Sequence, residues 1–179
     1  WTDDATYRYY IDDVVYKPIP IEWYVDDFES YMVGDYIAVV NPDWWTTWGG
    51  APGTGEDALI VDTYGNSPVQ SVFIDPDDGL TDLVLKLGDQ TSGAFELGWY
   101  IYVETGFQAY YNLQHFETPG QEWAVEIWFY DDGTGEALVN NEYFPFTFMH
   151  DTWFMVEHKI NIDADWIEFY VDGMMVHAW

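Results

Sequence analysis

The sequence predicts an all-β protein, a two-sheet antiparallel jelly-roll sandwich, and three observations carry this prediction. Apolar and polar residues alternate with a period of two along several stretches, which is typical of half-buried strands. Turn-forming pairs that end in Gly separate these stretches. No stretch has the apolar spacing of a substantial amphipathic helix, and many short strands in a chain of 179 residues favour two packed sheets.

The clearest predicted strands lie in the second half of the chain. In residues 95–103 every odd position is apolar, and the alternation returns in 123–130, 144–148 and 167–171. These segments are rich in β-branched and aromatic residues, which pack well on a pleated surface. Turns are expected at residues 77–79, 105–106, 119–120, 131–133 and 172–173.

The composition excludes several classes of protein. The chain has 33 acidic residues and 4 basic ones, so its net charge is −29, yet 21% of its residues are aromatic. A disordered acidic chain would be poor in aromatic residues, and a nucleic-acid partner would need Lys and Arg to displace counterions. The lack of cysteine excludes disulfides and Cys-based metal sites. No run of about 18 apolar residues is present, so the chain is not expected to span a membrane.

The charge also indicates a location. A charge of −29 on 20.9 kDa makes the folded state repel itself. Dissolved salt screens the repulsion between charges that lie more than roughly 8 Å apart. A surface module bathed in salt and divalent cations therefore tolerates this charge more easily than a cytosolic protein does. We therefore expect an extracellular module. The chain begins at Trp1 without a signal-like apolar stretch, so we expect it to be an interior or processed piece of a longer protein.

Five segments, taken in order, resemble the concanavalin A-like (LamG-type) sandwich modules of exported Bacteroidota proteins. The segments are residues 27–36 (DFESYMVGDY), 85–93 (LKLGDQTSG), 111–115 (YNLQH), 152–154 (TWF) and 162–173 (IDADWIEFYVDG). The resemblance implies a jelly-roll sandwich over about 150 residues, export to the bacterial cell surface, typically by the type IX secretion route, and contact with glycans or another surface. It does not imply catalysis.

The first residues depart from this resemblance. Residues 9–15 (YYIDDVV) are similar to residues 169–175 (FYVDGMM), and both predict an aromatic strand, a tight acidic turn and a return strand. In the resembling modules such a strand is the last strand of the domain. Here it comes before Asp27, where the resembling pattern begins. We therefore expect residues 1–20 to be the terminal strand of a preceding repeat, or a donated strand with a Pro linker. Residues 26–179 would then form a sandwich without its own last strand, which pairs with neighbouring repeats or copies by strand addition.

A polar and aromatic sheet face is the main candidate for binding. Sugars need aromatic rings for their C–H faces and amides or carboxylates for their hydroxyls. Three strands, predicted to be adjacent, place such side chains opposite the apolar set; the alternative is that aromatic pairs merely stabilise an exposed sheet. The predicted glycan-binding residues are Glu96, Tyr100, Tyr102, Gln108, Tyr110, Asn112, Gln114, Glu126, Trp128 and Tyr130.

Two loops supply further candidates. Trp44, Trp45 and Trp48 lie in a Gly-rich loop, where they could anchor a glycan or partner or fold under as a lid over one end of the sandwich. Acidic residues around 75–82 offer hard oxygens in a tight turn, as a Ca²⁺ site requires, although solvated turns are the alternative. The candidate Ca²⁺ ligands are Asp75, Asp77, Asp78 and Asp82.

Catalytic patterns are weak. Retaining glucanases of the sandwich class use paired carboxylates about 5–5.5 Å apart. The nearest match is Asp163, Asp165 and Glu168, but alternation places Glu168 on a strand and Asp163 in a turn, so the three need not converge. His158 alternates with apolar residues, which predicts a core histidine with a satisfied ring.

The function expected is a non-enzymatic adhesin- or lectin-like module; the alternatives are a structural repeat of a surface filament or giant adhesin, and a glucanase-like hydrolase.

Overall fold

The computed structural model describes residues 6–19, 24–75, 81–116 and 118–179, and it confirms the all-β, antiparallel class. Within these residues no helix is long and apolar enough to cross a membrane. The elements are β1 (Tyr9–Ile19), β2 (Tyr24–Asp26), α1 (Ile37–Val40), β3 (Trp45–Thr47), β4 (Leu59–Val61), β5 (Ser71–Ile74), β6 (Leu83–Leu85), β7 (Ala94–Val103), β8 (Ala109–Gln114), β9 (Trp123–Phe129), β10 (Thr134–Val139), β11 (Glu142–Thr147), β12 (Phe154–Asn161), a 3₁₀ turn (Ile162–Ala164), β13 (Trp166–Val171) and β14 (Met174–Ala178).

Two sheets make up most of the described structure. The larger sheet has the order β14-β13-β12-β7-β1-β5-β4, and β2 pairs with the second half of β1. The smaller sheet has the order β11-β10-β9-β8, and β3 pairs with β6 in a separate ribbon. Rings from the two sheets contact each other across the core: Trp99 and Tyr111 meet edge to face at 4.7 Å, and Phe129 and Phe154 meet at a tilt at 5.5 Å. The architecture is thus a β-sandwich; the jelly-roll topology stays a prediction.

The core lies between the inner faces of these sheets, where the alternation placed it. Ile101 on β7, Ile127 and Phe129 on β9, and Phe169 on β13 are fully buried. On β9 the residues between them are half-buried on the outer face, so the buried positions there are two residues apart. On β7 Tyr102 is buried as well, because rings outside the core cover it. At about 25 cal/mol per Å², removing these side chains from water is the main force that holds the two sheets together.

The N-terminal segment forms an interior strand rather than a hairpin. β1 pairs along its length with β7, from Tyr9 opposite Val103 to Ile19 opposite Ala94. Just before β1, the amide of Arg8 donates to the carbonyl of Gln108 at the edge of the smaller sheet (2.9 Å), so the segment contacts both sheets. The chain therefore fills a place within its own larger sheet; the division into residues 1–20 and 26–179 stays a prediction.

The expected tight turn at Asp12 and Asp13 is wrong, and a β-bulge stands in its place. The register with β7 shifts between Asp12 and Val15, and Asp13 has φ of +50°. The buried Asp12 carboxylate accepts the backbone N–H groups of Asn66 (2.7 Å) and Ser67 (3.1 Å), which holds the loop before β5 against the sheet. The similar residues at Asp172 do form a hairpin, because β13 and β14 turn there. Local sequence alone did not distinguish a bulge from a turn.

Candidate functional site

The predicted face is divided between the two sheets. β8 and β9 are neighbours, as expected, but β7 lies in the larger sheet, so the prediction that all three strands share one face is wrong. The chain between β7 and β8 crosses from one sheet to the other, because the inner faces of both strands contribute to the same core. Glu96, Tyr100 and Tyr102 therefore lie on the outer face of the opposite sheet.

Tyr102 is also covered by its neighbours. Its ring stacks against Tyr64 at 4.4 Å and meets Tyr10 and Trp153, and only 9% of the residue is exposed. Tyr100 pairs across the sheet with Asp12 and Met155. These β7 residues cannot act together with β8 and β9 on one ligand.

The remaining residues form a continuous outer surface, which we call the β8–β9 face. Cross-strand pairing sets Tyr110 opposite Trp128 and Asn112 opposite Glu126, so their side chains lie side by side. Gln108 stands just before β8, where its backbone pairs with the N-terminal segment. The β8–β9 face consists of Tyr110, Asn112, Gln114, Glu126, Trp128 and Tyr130, all of them half-buried.

A chain of hydrogen bonds fixes the polar side chains of this face. The backbone N–H of Gly120 donates to Gln114 Oε1 (2.7 Å), and Gln114 Nε2 donates to Asn112 Oδ1 (2.9 Å). Asn112 Nδ2 then donates to the Tyr110 hydroxyl (3.2 Å), which donates to Glu126 Oε1 (2.8 Å). The side chains are thus held in one orientation before any ligand arrives, which lowers the entropy lost on binding.

Glu136 extends the face onto β10, and the sequence reasoning missed it. It lies directly opposite Trp128, and the Tyr130 hydroxyl donates to its carboxylate. Burial, together with the adjoining carboxylate, raises the pKa of both Tyr110 and Tyr130, so both hydroxyls remain protonated donors. Alternation around residues 134–139 could have located Glu136, but it could not have identified Trp128 as its neighbour.

The tryptophan loop divides into a buried part and an exposed part. Trp45 is 3% exposed and its Nε1 donates to the Tyr24 hydroxyl (2.8 Å), so the interpretation of Trp45 as an exposed anchor is wrong. Trp44 stacks on Tyr24 at 4.2 Å and borders an open cleft beside Lys86. Both rings pack against the sandwich, since Trp45 begins β3 and Trp44 directly precedes it. Trp48 alone remains well exposed, at 38%.

Trp48 meets the end of the β8–β9 face through Trp123. The two indoles stack with centroids 6.4 Å apart, and Trp123 pairs with Gln114. Alternation placed Trp123 with the core residues, but the register shifts between Leu113 and Gln114, and the shift turns Trp123 outwards to 41% exposure. The face therefore runs from Trp48 and Trp123 to Tyr130 and Glu136.

The proposed calcium ligands are only partly within the described residues. Asp77 and Asp78 lie outside them, while Asp82 is exposed and its backbone N–H donates to the Glu56 carbonyl (2.9 Å). In the part of the chain that the structure describes, no group of three or more His, Asp or Glu side chains is placed to hold a metal ion. Calcium binding stays a prediction.

The three carboxylates of the weak glucanase match do not lie on one strand. Asp163 lies in the 3₁₀ turn, Asp165 ends that turn with φ of +51°, and Glu168 lies on β13. Hydrogen bonds from Tyr170 (2.6 Å) and Trp166 (3.1 Å) lower the pKa of Glu168, whereas a general acid needs a raised one. Nothing in this arrangement favours hydrolysis.

His158 is a core residue, as predicted, but only one ring nitrogen has a partner. It is fully buried on β12, and its Nε2 lies 2.8 Å from the Tyr111 hydroxyl on β8, so the pair links the two sheets. Among the described residues its Nδ1 has no hydrogen-bond partner. Burial lowers the pKa of His158 to about 3, so the ring is neutral at physiological pH.

Acid should therefore destabilise the fold through His158. Its pKa is about 6.5 in the unfolded chain and about 3 in the folded one, so the unfolded state binds the additional proton as the pH falls. This residue should lower the free energy of unfolding by about 2 kcal/mol between pH 7 and pH 5. Asp12 acts in the opposite direction, because burial raises its pKa to about 6.

Urea unfolding of the wild type and His158→Gln from pH 7 to pH 4.5 isolates this contribution, since Asp12 is common to both proteins. The variant should be less stable at pH 7 but should show a smaller loss on acidification. Parallel stability curves would show that His158 does not titrate on unfolding in this range.

Comparison of the chain with protein-family models, curated proteins and solved structures gives no match.

Proposed function

We propose that the chain is a non-catalytic, exported surface module that binds glycans, or another surface, through the β8–β9 face together with Trp48 and Trp123. The observation that carries this proposal is the ordered row of amides, carboxylates and half-exposed rings on the outside of the smaller sheet. The charge of −29 and the resemblance to exported concanavalin A-like sandwiches support the location at a cell surface.

The chemistry of the face suits a sugar chain. Trp128 and Trp123 offer indole rings for the C–H faces of sugar rings, and the amides of Asn112 and Gln114 can exchange hydrogen bonds with hydroxyls. Strand β8 rises about 14 Å from Tyr110 to Gln114, which gives room for more than one sugar unit. The fixed orientation of the side chains favours discrimination between hydroxyl arrangements.

A glycan array with matched variants tests the proposal. We expect micromolar binding of a subset of glycans by the wild type, and a loss of about tenfold or more in affinity for Trp128→Ala, because a central aromatic ring carries much of the binding free energy. Trp166→Ala is the control, since Trp166 is 45% exposed on the opposite sheet. Equal loss in both variants, or glycan binding that does not depend on Trp128, would exclude this face as the site.

A structural repeat is the second candidate, and the edge of the larger sheet favours it. β14 ends this sheet, and Met174 and Met175 at its start are 74% and 59% exposed. A strand edge beside exposed apolar side chains is a surface for strand addition by another copy. Flat glycan arrays with concentration-dependent self-association in salt would support this candidate over the first.

A further inference from the structure

The β8–β9 face is acidic, and the strands that form it contain no Lys or Arg. Residues 87–158, which include β7 to β11, contain neither Lys nor Arg. Glu126 and Glu136 lie on the same face next to Trp128: Glu126 is two residues before it on β9, and Glu136 is its partner on β10. The Arg8 guanidinium lies over the Phe107 ring at 4.5 Å and beside Glu104 at 3.5 Å.

The opposite sheet contains the same set of groups with an ammonium added. On β12 and β13, Lys159 Nζ lies 4.8 Å from the centroid of the Tyr170 ring and 3.9 Å from Glu157 Oε1. The Tyr170 hydroxyl donates to Glu168, which pairs with Lys159 across the strands. An aromatic ring between two carboxylates thus holds a cation within this protein, through charge attraction and the negative face of the ring.

Trp128 has the corresponding carboxylates, but no corresponding cation among the residues that the structure describes. Tyr110 donates to Glu126 as Tyr170 donates to Glu168, and Tyr130 donates to Glu136 in the same way. In the described ranges no ammonium or guanidinium lies over the Trp128 ring. Two carboxylates held close to a half-exposed indole form an attractive site for a cation from outside the chain.

We propose that the ligand of the β8–β9 face is an amino-sugar polymer, whose protonated primary amines bind at Trp128 beside Glu126 and Glu136. This inference rests on the proposed glycan-binding function and names its ligand class. The net charge of −29 repels uronate or sulfated polymers. The neighbouring amides of Asn112 and Gln114 and the Trp48–Trp123 pair favour a sugar chain over a basic peptide, because they match hydroxyls and ring faces.

Titration calorimetry with three probes tests this assignment, in a buffer that keeps the amines protonated. The probes are glucosamine oligomers, their N-acetylated counterparts and polylysine. The wild type should bind the glucosamine oligomers at least about tenfold more tightly than the acetylated ones, and added salt should weaken that binding. Glu126→Gln and Glu136→Gln should each weaken it about fivefold, and should weaken the binding of the acetylated oligomers less.

Glu157→Gln and Glu168→Gln on the opposite sheet are the matched controls, and they should bind as the wild type does. Equal affinity for amino and acetylated oligomers, with loss only in Trp128→Ala, would overturn the cation site while leaving glycan binding intact. Tighter binding of polylysine than of the glucosamine oligomers would assign the face to a basic protein segment. Binding of neither oligomer would overturn this inference, while the proposed function would be overturned only by a glycan array without Trp128-dependent binding. A melting curve for each variant separates loss of the site from loss of the fold.

Discussion

Removal of residues 1–18 should leave a chain that no longer folds cooperatively. β1 lies between β7 on one side and β5 and β2 on the other, and nine residue pairs join it to β7. Its loss would separate the larger sheet into two parts and expose the core around Val14 and Tyr16. Urea unfolding followed by near-ultraviolet circular dichroism should show no sigmoidal transition for the truncated chain.

A peptide supplied separately provides the control for this truncation. A synthetic peptide of residues 6–19 should restore the transition, because it supplies the missing hydrogen bonds and core side chains. The same peptide with Val14→Asp should fail, since Val14 is 1% exposed and a charge there would be buried. If the truncated protein instead stays monomeric and equally stable, with no free edge in its hydrogen exchange, these residues act only as a linker.

Phe129→Ala should destabilise the protein by about 3–5 kcal/mol, through lost burial and the cavity left behind. Phe129 is fully buried, and its ring lies 5.3 Å from Phe146, 5.3 Å from Phe148 and 5.5 Å from Phe154. Trp128→Ala, at the next position on β9, should lower the free energy of unfolding by only about 1 kcal/mol, because Trp128 lies on the outer face. Urea midpoints of the two variants at equal slope measure the difference.

Similar losses of unfolding free energy in Phe129→Ala and Trp128→Ala would contradict the prediction that the outer face of β9 is open to a ligand. They would mean that Trp128 is as well covered as Phe129, so that no ligand could reach it. A larger loss for Phe129→Ala, together with weakened glycan binding by Trp128→Ala alone, would separate the structural face of β9 from the binding face.

The sequence by itself determined which residues of each strand lie on the same side. The alternation around Ile127, Phe129 and Phe169 predicted the core correctly, because side chains of a strand alternate between the two faces whatever strand lies beside it. It also predicted Tyr110, Asn112, Glu126 and Trp128 as outward-facing neighbours, since β8 and β9 are consecutive in the chain. The acidic charge, too, follows from composition alone.

Only the tertiary structure decided which strands are neighbours. β7 and β8 are consecutive yet belong to different sheets, so Glu96 and Tyr102 are not part of the predicted face. β1, in contrast, pairs with β7 across about 90 residues of sequence. The sequence also did not predict the bulge that exposes Trp123 or the pairing that sets Glu136 beside Trp128. Period-two alternation is a local property, whereas strand order and register are set by which distant surfaces bury the most apolar area together.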